Sequence, residues 1–245
     1  MKTVIALSCL VAACSSSPLD STAAGGAGGG SASAGASGTD GTFVDSCSAA
    51  RAQQLGAIET TSTGAVQLLS DSGGIKTLYV DATAGGQNGV STHPWLFLAL
   101  GDGTKTAVSD VTSLQSLAWD LAFKRALIYT NGGEGGPGKG ASAFLAKDFA
   151  NVTSADAAGA DFFTEKFFDD DCNAIVDLTG ASSTSFSTWY NYDEATHVLS
   201  PVVGTWLVKG ATGKLFKLRF KSYYATASGG TGSTAGAYLL EIGAL

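Results

Sequence analysis

WDLAFKRALIYTNGGEGGPGKG, Trp119 to Gly140, is the stretch on which the fold turns. Its first half alternates as a strand does, with Leu117, Trp119, Leu121 and Phe123 on one face and Ala118, Asp120, Ala122 and Lys124 on the other. The pattern then slips: Ala126, Ile128 and Thr130 take one side, Leu127 and Tyr129 the other. Apolar residues on both faces predict a central strand covered on both sides at that end. Six glycines follow between Gly132 and Gly140. Backbone of that kind can approach a ligand or a neighbouring strand closely, and loops carried on a rigid sheet are where binding residues collect.

Working outward, Ile75–Val80 reads as a strand, and Trp95–Leu100 as another, bounded by Pro94 and the turn Gly101-Asp102-Gly103. Thr104–Val108 is its expected hairpin partner, and Val111–Trp119 leads into the long strand. Asp148–Gly180 mixes phenylalanines with acidic residues and predicts irregular structure with short strands. Phe186–Tyr192 is strand-like. Gly204–Lys209 and Lys214–Tyr224 flank a hairpin turn at Ala211-Thr212-Gly213; on the second arm Phe216, Leu218 and Phe220 should face the core, Lys217, Arg219 and Lys221 water. Ala237–Ile242 closes the set. There is no internal repeat, no heptad and no helix of useful length, so the expectation is an all-β, antiparallel sheet domain with long loops over residues 43–245.

Composition agrees. Of 245 residues only 14% are charged and 33 are glycine, a balance that suits a β-rich exported protein. About 200 residues after the leader can bury a core in one all-β domain. The net charge of −7 excludes the basic field that nucleic-acid binding needs. Residues 1–13 read as a signal peptide: Lys2, then an apolar run too short to span a bilayer. Val11-Ala12-Ala13-Cys14 has the form of a bacterial lipobox, which makes Cys14 the expected lipidation site, and Ser15 after it points to the outer membrane. Residues 14–42 are Gly, Ala and Ser-rich, a tether with an r.m.s. reach of about 30 Å. With Cys14 lipidated, Cys47 and Cys172 remain as the expected disulfide in an oxidising compartment; the alternative is two buried thiols.

Several pieces together resemble the HmuY family of bacterial haem-binding lipoproteins. They are Trp95-Leu96-Phe97, Trp119 to Arg125, Asn131-Gly132-Gly133 with Gly138-Lys139-Gly140, Trp189-Tyr190, Trp206 to Lys209, and Lys217-Leu218-Arg219-Phe220 with Tyr223-Tyr224. The resemblance covers roughly residues 75–243. It implies a lipid-anchored, outward-facing all-β protein of iron acquisition whose loops clasp haem between two axial ligands, histidines or in some relatives methionines, one ahead of the Trp189 strand and one just after it. Here the second position falls near Asp193 or Glu194. The first falls in Phe163–Gly180, which contains neither His nor Met.

The two histidines, His93 and His197, are the imidazoles open to iron. His197 lies in the polar loop YNYDEATHVLSP near the second ligand position and is the first candidate; Tyr192, then Tyr190, could offer a phenolate oxygen. Each could equally be a packing or solvated residue. Lys139 is a candidate contact for a propionate. Gly133–Gly140 nearly spells a Walker A loop, but Gly140 stands where the Mg²⁺-binding hydroxyl belongs. Asp169-Asp170-Asp171, with Asp161, Glu165 and Asp177, lacks calcium-loop spacing and reads as a solvated acidic loop. No nucleophile–histidine pairing is visible, which argues against an enzyme; a surface hydrolase would need a cleft with perturbed carboxylates. The reading is a surface binding protein for haem or a related porphyrin, with an envelope receptor or partner protein in view. The alternative keeps the fold and takes another small molecule or a protein partner in place of haem.

Overall fold

The computed structural model describes residues 43–177 and 180–245. The leader at 1–13 and all of the 14–42 segment, Cys14 included, lie outside the described residues. The chain forms β1 (Val66–Ser72), β2 (Ile75–Asp81), β3 (Leu96–Ala99), β4 (Thr104–Lys105), β5 (Leu121–Lys124), β6 (Leu127–Thr130), β7 (Ala141–Leu145), β8 (Tyr190–Asp193), β9 (Val198–Pro201), β10 (Thr205–Lys209), β11 (Leu215–Ser222) and β12 (Ala237–Ala244). Among the described residues helix is confined to α1 (Ser48–Gln54), α2 (Asp110–Ser113), α3 (Ser154–Ala158) and a 3-10 turn at Phe149–Asn151. All strand pairs are antiparallel. A six-stranded sheet runs β1-β2-β12-β11-β10-β7, a four-stranded sheet β4-β3-β5-β6, and β8-β9 stand as a separate hairpin.

The main core lies between the two larger sheets. Leu78, Val80, Phe216, Leu218, Leu240 and Ile242 from the first meet Leu96, Leu98, Leu121, Phe123 and Ile128 from the second. The alternation of β11 is the sequence cause: Phe216, Leu218 and Phe220 all point inward. On its far side the smaller sheet is covered as well, since Trp95, Phe97, Trp119, Ala122 and Tyr129 pack with Leu55 after α1 and with Phe167 and Phe168. Cys47 and Cys172 are joined by a disulfide across 125 positions, fastening the start of α1 to that cover.

Three expectations are corrected. The single long strand through Lys124 is a hairpin: β5 and β6 pair Lys124 with Leu127, and Arg125 turns the chain at φ 51. Apolar residues on both faces looked like one central strand because both arms of the hairpin are sandwiched. Trp119 does not share a face with Leu121 and Phe123, because it packs in the outer cluster while they enter the main core. The break sits at Asp120, whose carboxylate accepts from Leu100 N (2.7 Å) and Ala211 N (2.8 Å), taking that residue out of strand register. Nor does Val111–Trp119 extend as a strand. Ser109 and Thr112 form a reciprocal capping box that nucleates α2.

Two smaller differences concern β11 and β12. Lys217 and Arg219 are not fully given to water: Lys217 Nζ donates to the Phe149 and Val152 carbonyls (2.8 and 3.1 Å), and Arg219 pairs with Glu241. The last strand of the chain is internal to its sheet, lying between β2 and β11. The edges of the six-stranded sheet are β1, mostly exposed, and β7, built of small residues at its buried positions; neither gave a periodic signal.

Candidate functional site

The β8–β9 hairpin follows directly from Trp189, a fully buried side chain whose indole N–H donates to the Ala126 carbonyl (2.8 Å). Trp189 stacks among Tyr190, Phe220, Tyr223 and Tyr238, with centroids 5.0 to 5.5 Å apart. The hairpin register pairs Tyr190 with Pro201 and Tyr192 with Leu199, so these four side chains share one face. Leu199 and Tyr190 lean on the core, and the Leu199 N–H donates to the Tyr224 hydroxyl (3.1 Å). Tyr192, one step further out, is 51% exposed.

At the hairpin's end Asp193 accepts from Ala195 N (2.8 Å) and Thr196 N (3.1 Å). Those N–H groups, Thr196 first, hold its carboxyl below the ordinary range. The turn then passes through His197 at φ 57, a conformation that polar side chains such as His enter more readily than branched ones. This brings His197 Nδ1 to 2.5 Å from the Tyr192 hydroxyl. Sequence alone offered the two as rival iron ligands; the structure joins them.

Below the hairpin four phenols gather: Tyr190, Tyr223, Tyr224 and Tyr238. Burial raises Tyr223 to about 12, with the Arg125 guanidinium pulling the other way. Burial likewise lifts Tyr238 well above its ordinary value, and burial and then the Asp177 charge raise Tyr190. Arg125, at the apex of the β5–β6 turn, is the residue that sequence reasoning passed over. Its signal was present in Lys124-Arg125-Ala126, a basic pair at the point where the alternation slips.

The other candidates lie elsewhere. Lys139 is exposed, its N–H donates to Ala211 (2.8 Å), and its side chain lies over Gly213. That is the β10–β11 turn, and the eight residues of β11, roughly 26 Å of strand, separate it from Tyr223 and Tyr224. His93 borders a cleft of about 250 Å³ with Ser62, Thr83 and Pro94, and its Nδ1 meets the Gly89 carbonyl at 2.8 Å. A second cleft, about 350 Å³, lies beside Pro201, Val203, Phe149 and Arg219.

The Walker-like run is packed shut as a structural loop: Gly132 bridges Lys139, and a Cβ at Gly140 would fall 2.5 Å from the Asn131 carbonyl. Asp169 accepts from Asp171 N, Asn173 N and Asn173 Nδ2, an internal turn lock. No group of three or more His, Cys, Asp or Glu is gathered for a metal ion among the described residues. Two carboxyls, Asp110 and Glu165, are raised by burial; both are tied to backbone N–H groups in the interior and neither lines either of these two clefts.

Residues 91–238 match the family model for HmuY protein. No curated protein matches the chain. Solved structures similar to it include a candidate lipoprotein from Bacteroides fragilis, 20% identical with a TM-score of 0.45, covering 76% of this chain and 97% of that one. Another is a candidate HmuY-like haem-binding protein from Bacteroides vulgatus, 20% identical, TM-score 0.43, covering 73% and 96%. A third is an apo HmuY analogue from Tannerella forsythia, 14% identical, TM-score 0.45, covering 69% and 95%.

Proposed function

Because the chain belongs to the HmuY family, we propose that it is a lipid-anchored protein of the bacterial outer envelope that captures haem or a related porphyrin on the aromatic face of the β8–β9 hairpin. It acts by binding, not catalysis. The observation that carries this reading is the contact between Tyr192 and His197. A phenol is a better donor than acceptor, so the natural sense is O–H to Nδ1. That uses the Nδ1 lone pair and leaves the ring proton on Nε2. The phenol oxygen then keeps lone pairs that ferric iron could take, and His197 Nδ1 would accept the phenolic proton as it did so. Tyr192 would therefore be the residue that holds the iron and His197 its support, the reverse of the ranking that sequence suggests. Tyr190, Leu199 and Tyr224 supply flat and apolar surface beside it.

Titrating the purified, tag-free protein with hemin tests this. A Soret shift that Tyr192→Phe abolishes supports the reading; an unshifted Soret band in the wild type overturns it. A second reading, in which the fold takes a protein partner, is favoured by one feature. Tyr192, Val198 and Val203 stand exposed on and just after the hairpin. It predicts no hemin spectrum and an envelope protein recovered on the wild type but not on Val203→Asp.

A further inference from the structure

The β5–β6 turn fixes an arginine that has no ion-pair partner among the described residues. Arg125 occupies φ 51, where glycine or asparagine would sit unstrained. Its backbone is nonetheless held from three sides. Its N–H donates to the Ala82 carbonyl (2.8 Å), its carbonyl accepts from the Tyr238 hydroxyl (2.5 Å), and the next carbonyl, Ala126, accepts from the Trp189 indole (2.8 Å). The chain's other two arginines are paired, Arg51 with Asp45 and Arg219 with Glu241. Among the described residues the Arg125 guanidinium has neither an ion pair nor a hydrogen bond. It lies within electrostatic range of Tyr223 and Tyr238, which pack against Trp189 at the root of the hairpin.

An immobilised turn, an unpaired fork of donors and a wall of tyrosines make one arrangement. The guanidinium matches a carboxylate in shape and charge, and phenol rings suit a flat conjugated body. We propose that Arg125 is the carboxylate anchor of this face, pairing with an acid group on the rim of a planar aromatic ligand seated beside the β8–β9 hairpin. This rests on the porphyrin reading, in which the acid is a propionate. It also replaces Lys139 in that role, since the lysine sits at the opposite end of β11.

The test compares hemin with its dimethyl ester, which keeps the iron and ring but lacks the acids. Wild type, Arg125→Gln and Arg125→Gly are titrated with both, following the Soret band. Thermal unfolding of Arg125→Gly, whose turn is relieved of a side chain at positive φ, checks that the fold is kept. We expect Arg125→Gln to weaken hemin about tenfold and to leave the ester unchanged, so that esterification and substitution fail to add. Variants that bind both ligands as wild type does, or lose both equally, overturn the anchor while leaving the porphyrin reading in place. If neither ligand shifts the Soret band with wild-type protein, the porphyrin reading and the anchor fall together.

Discussion

Glu165 and Ser185 are bonded twice: the Ser185 N–H donates to Oε2 (2.9 Å) and its hydroxyl to Oε1 (2.6 Å). Thr130 adds its own N–H and hydroxyl to Oε1 (2.8 and 3.0 Å). One buried carboxylate thus ties the end of β6 to the chain four residues ahead of Trp189. Removing it in Glu165→Ala strands those donors and should cost about 2–4 kcal/mol, read from urea midpoints.

The same group gives a pH signature. Burial raises the Glu165 pKa despite the four hydrogen bonds. A carboxyl raised in the folded state holds its proton where the unfolded chain has already lost it. Its contribution is complete below about pH 4 and fades as pH climbs through the raised value. Wild type should gain on Glu165→Gln, which does not titrate, as pH is lowered from 7 to 4. A stability difference that stays flat or reverses refutes this.

The Cys47–Cys172 link spans 125 positions, a loop for which chain entropy sets an upper stabilisation of about 5 kcal/mol. Reduction, or the paired Cys47→Ser and Cys172→Ser change, should lower the melting temperature clearly. Because strain at Cys172, held at φ 62, offsets part of the gain, the loss should fall at about 3–4 kcal/mol.

Asn131 is fully buried and works as an internal splint. Its amide donates to the Ser116 and Trp119 carbonyls (2.9 and 2.8 Å) and accepts from Gly138 N (3.1 Å). Asn131→Ala should cost about 3 kcal/mol by leaving those groups unpaired. Gly140→Ala should destabilise as well, since its Cβ would meet the Asn131 backbone at 2.5 Å. Hydrogen exchange should show both losses concentrated in residues 131–140.

For the ligand, Tyr192→Phe should remove the hemin spectrum, whereas His197→Gln should weaken it and alter its shape, since an amide can still face the phenol. Equal spectra for all three proteins would mean that any porphyrin is held elsewhere.

The body of the fold was legible because β2, β3, β10, β11 and β12 bury one face or both, and burial writes itself into alternation. β1 was missed because most of its residues are exposed, and β7 because its buried positions carry only Ala and Ser, so neither alternates large apolar with polar side chains. The β5–β6 hairpin read as one strand because its turn is Arg125-Ala126 instead of the Asn-Gly or Asp-Gly that announces reversal. At the site, His197 and Tyr192 were found from residue type, but their union depends on a left-handed backbone at His197. Arg125 was missed because an unpaired charge is a fact of three-dimensional neighbours, not of local sequence.

The cystine has a mechanical corollary. Its Cys47 half lies four residues beyond Phe43, where the described chain begins, and ahead of every described strand. A pull applied at the leading end is stopped at Cys47 and passed through sulfur to Cys172, bypassing β1 and β2. Neither strand can be unzipped from that side while the bond holds, so a load on the leading end would reach the loop leading to β8 before it strained the sandwich.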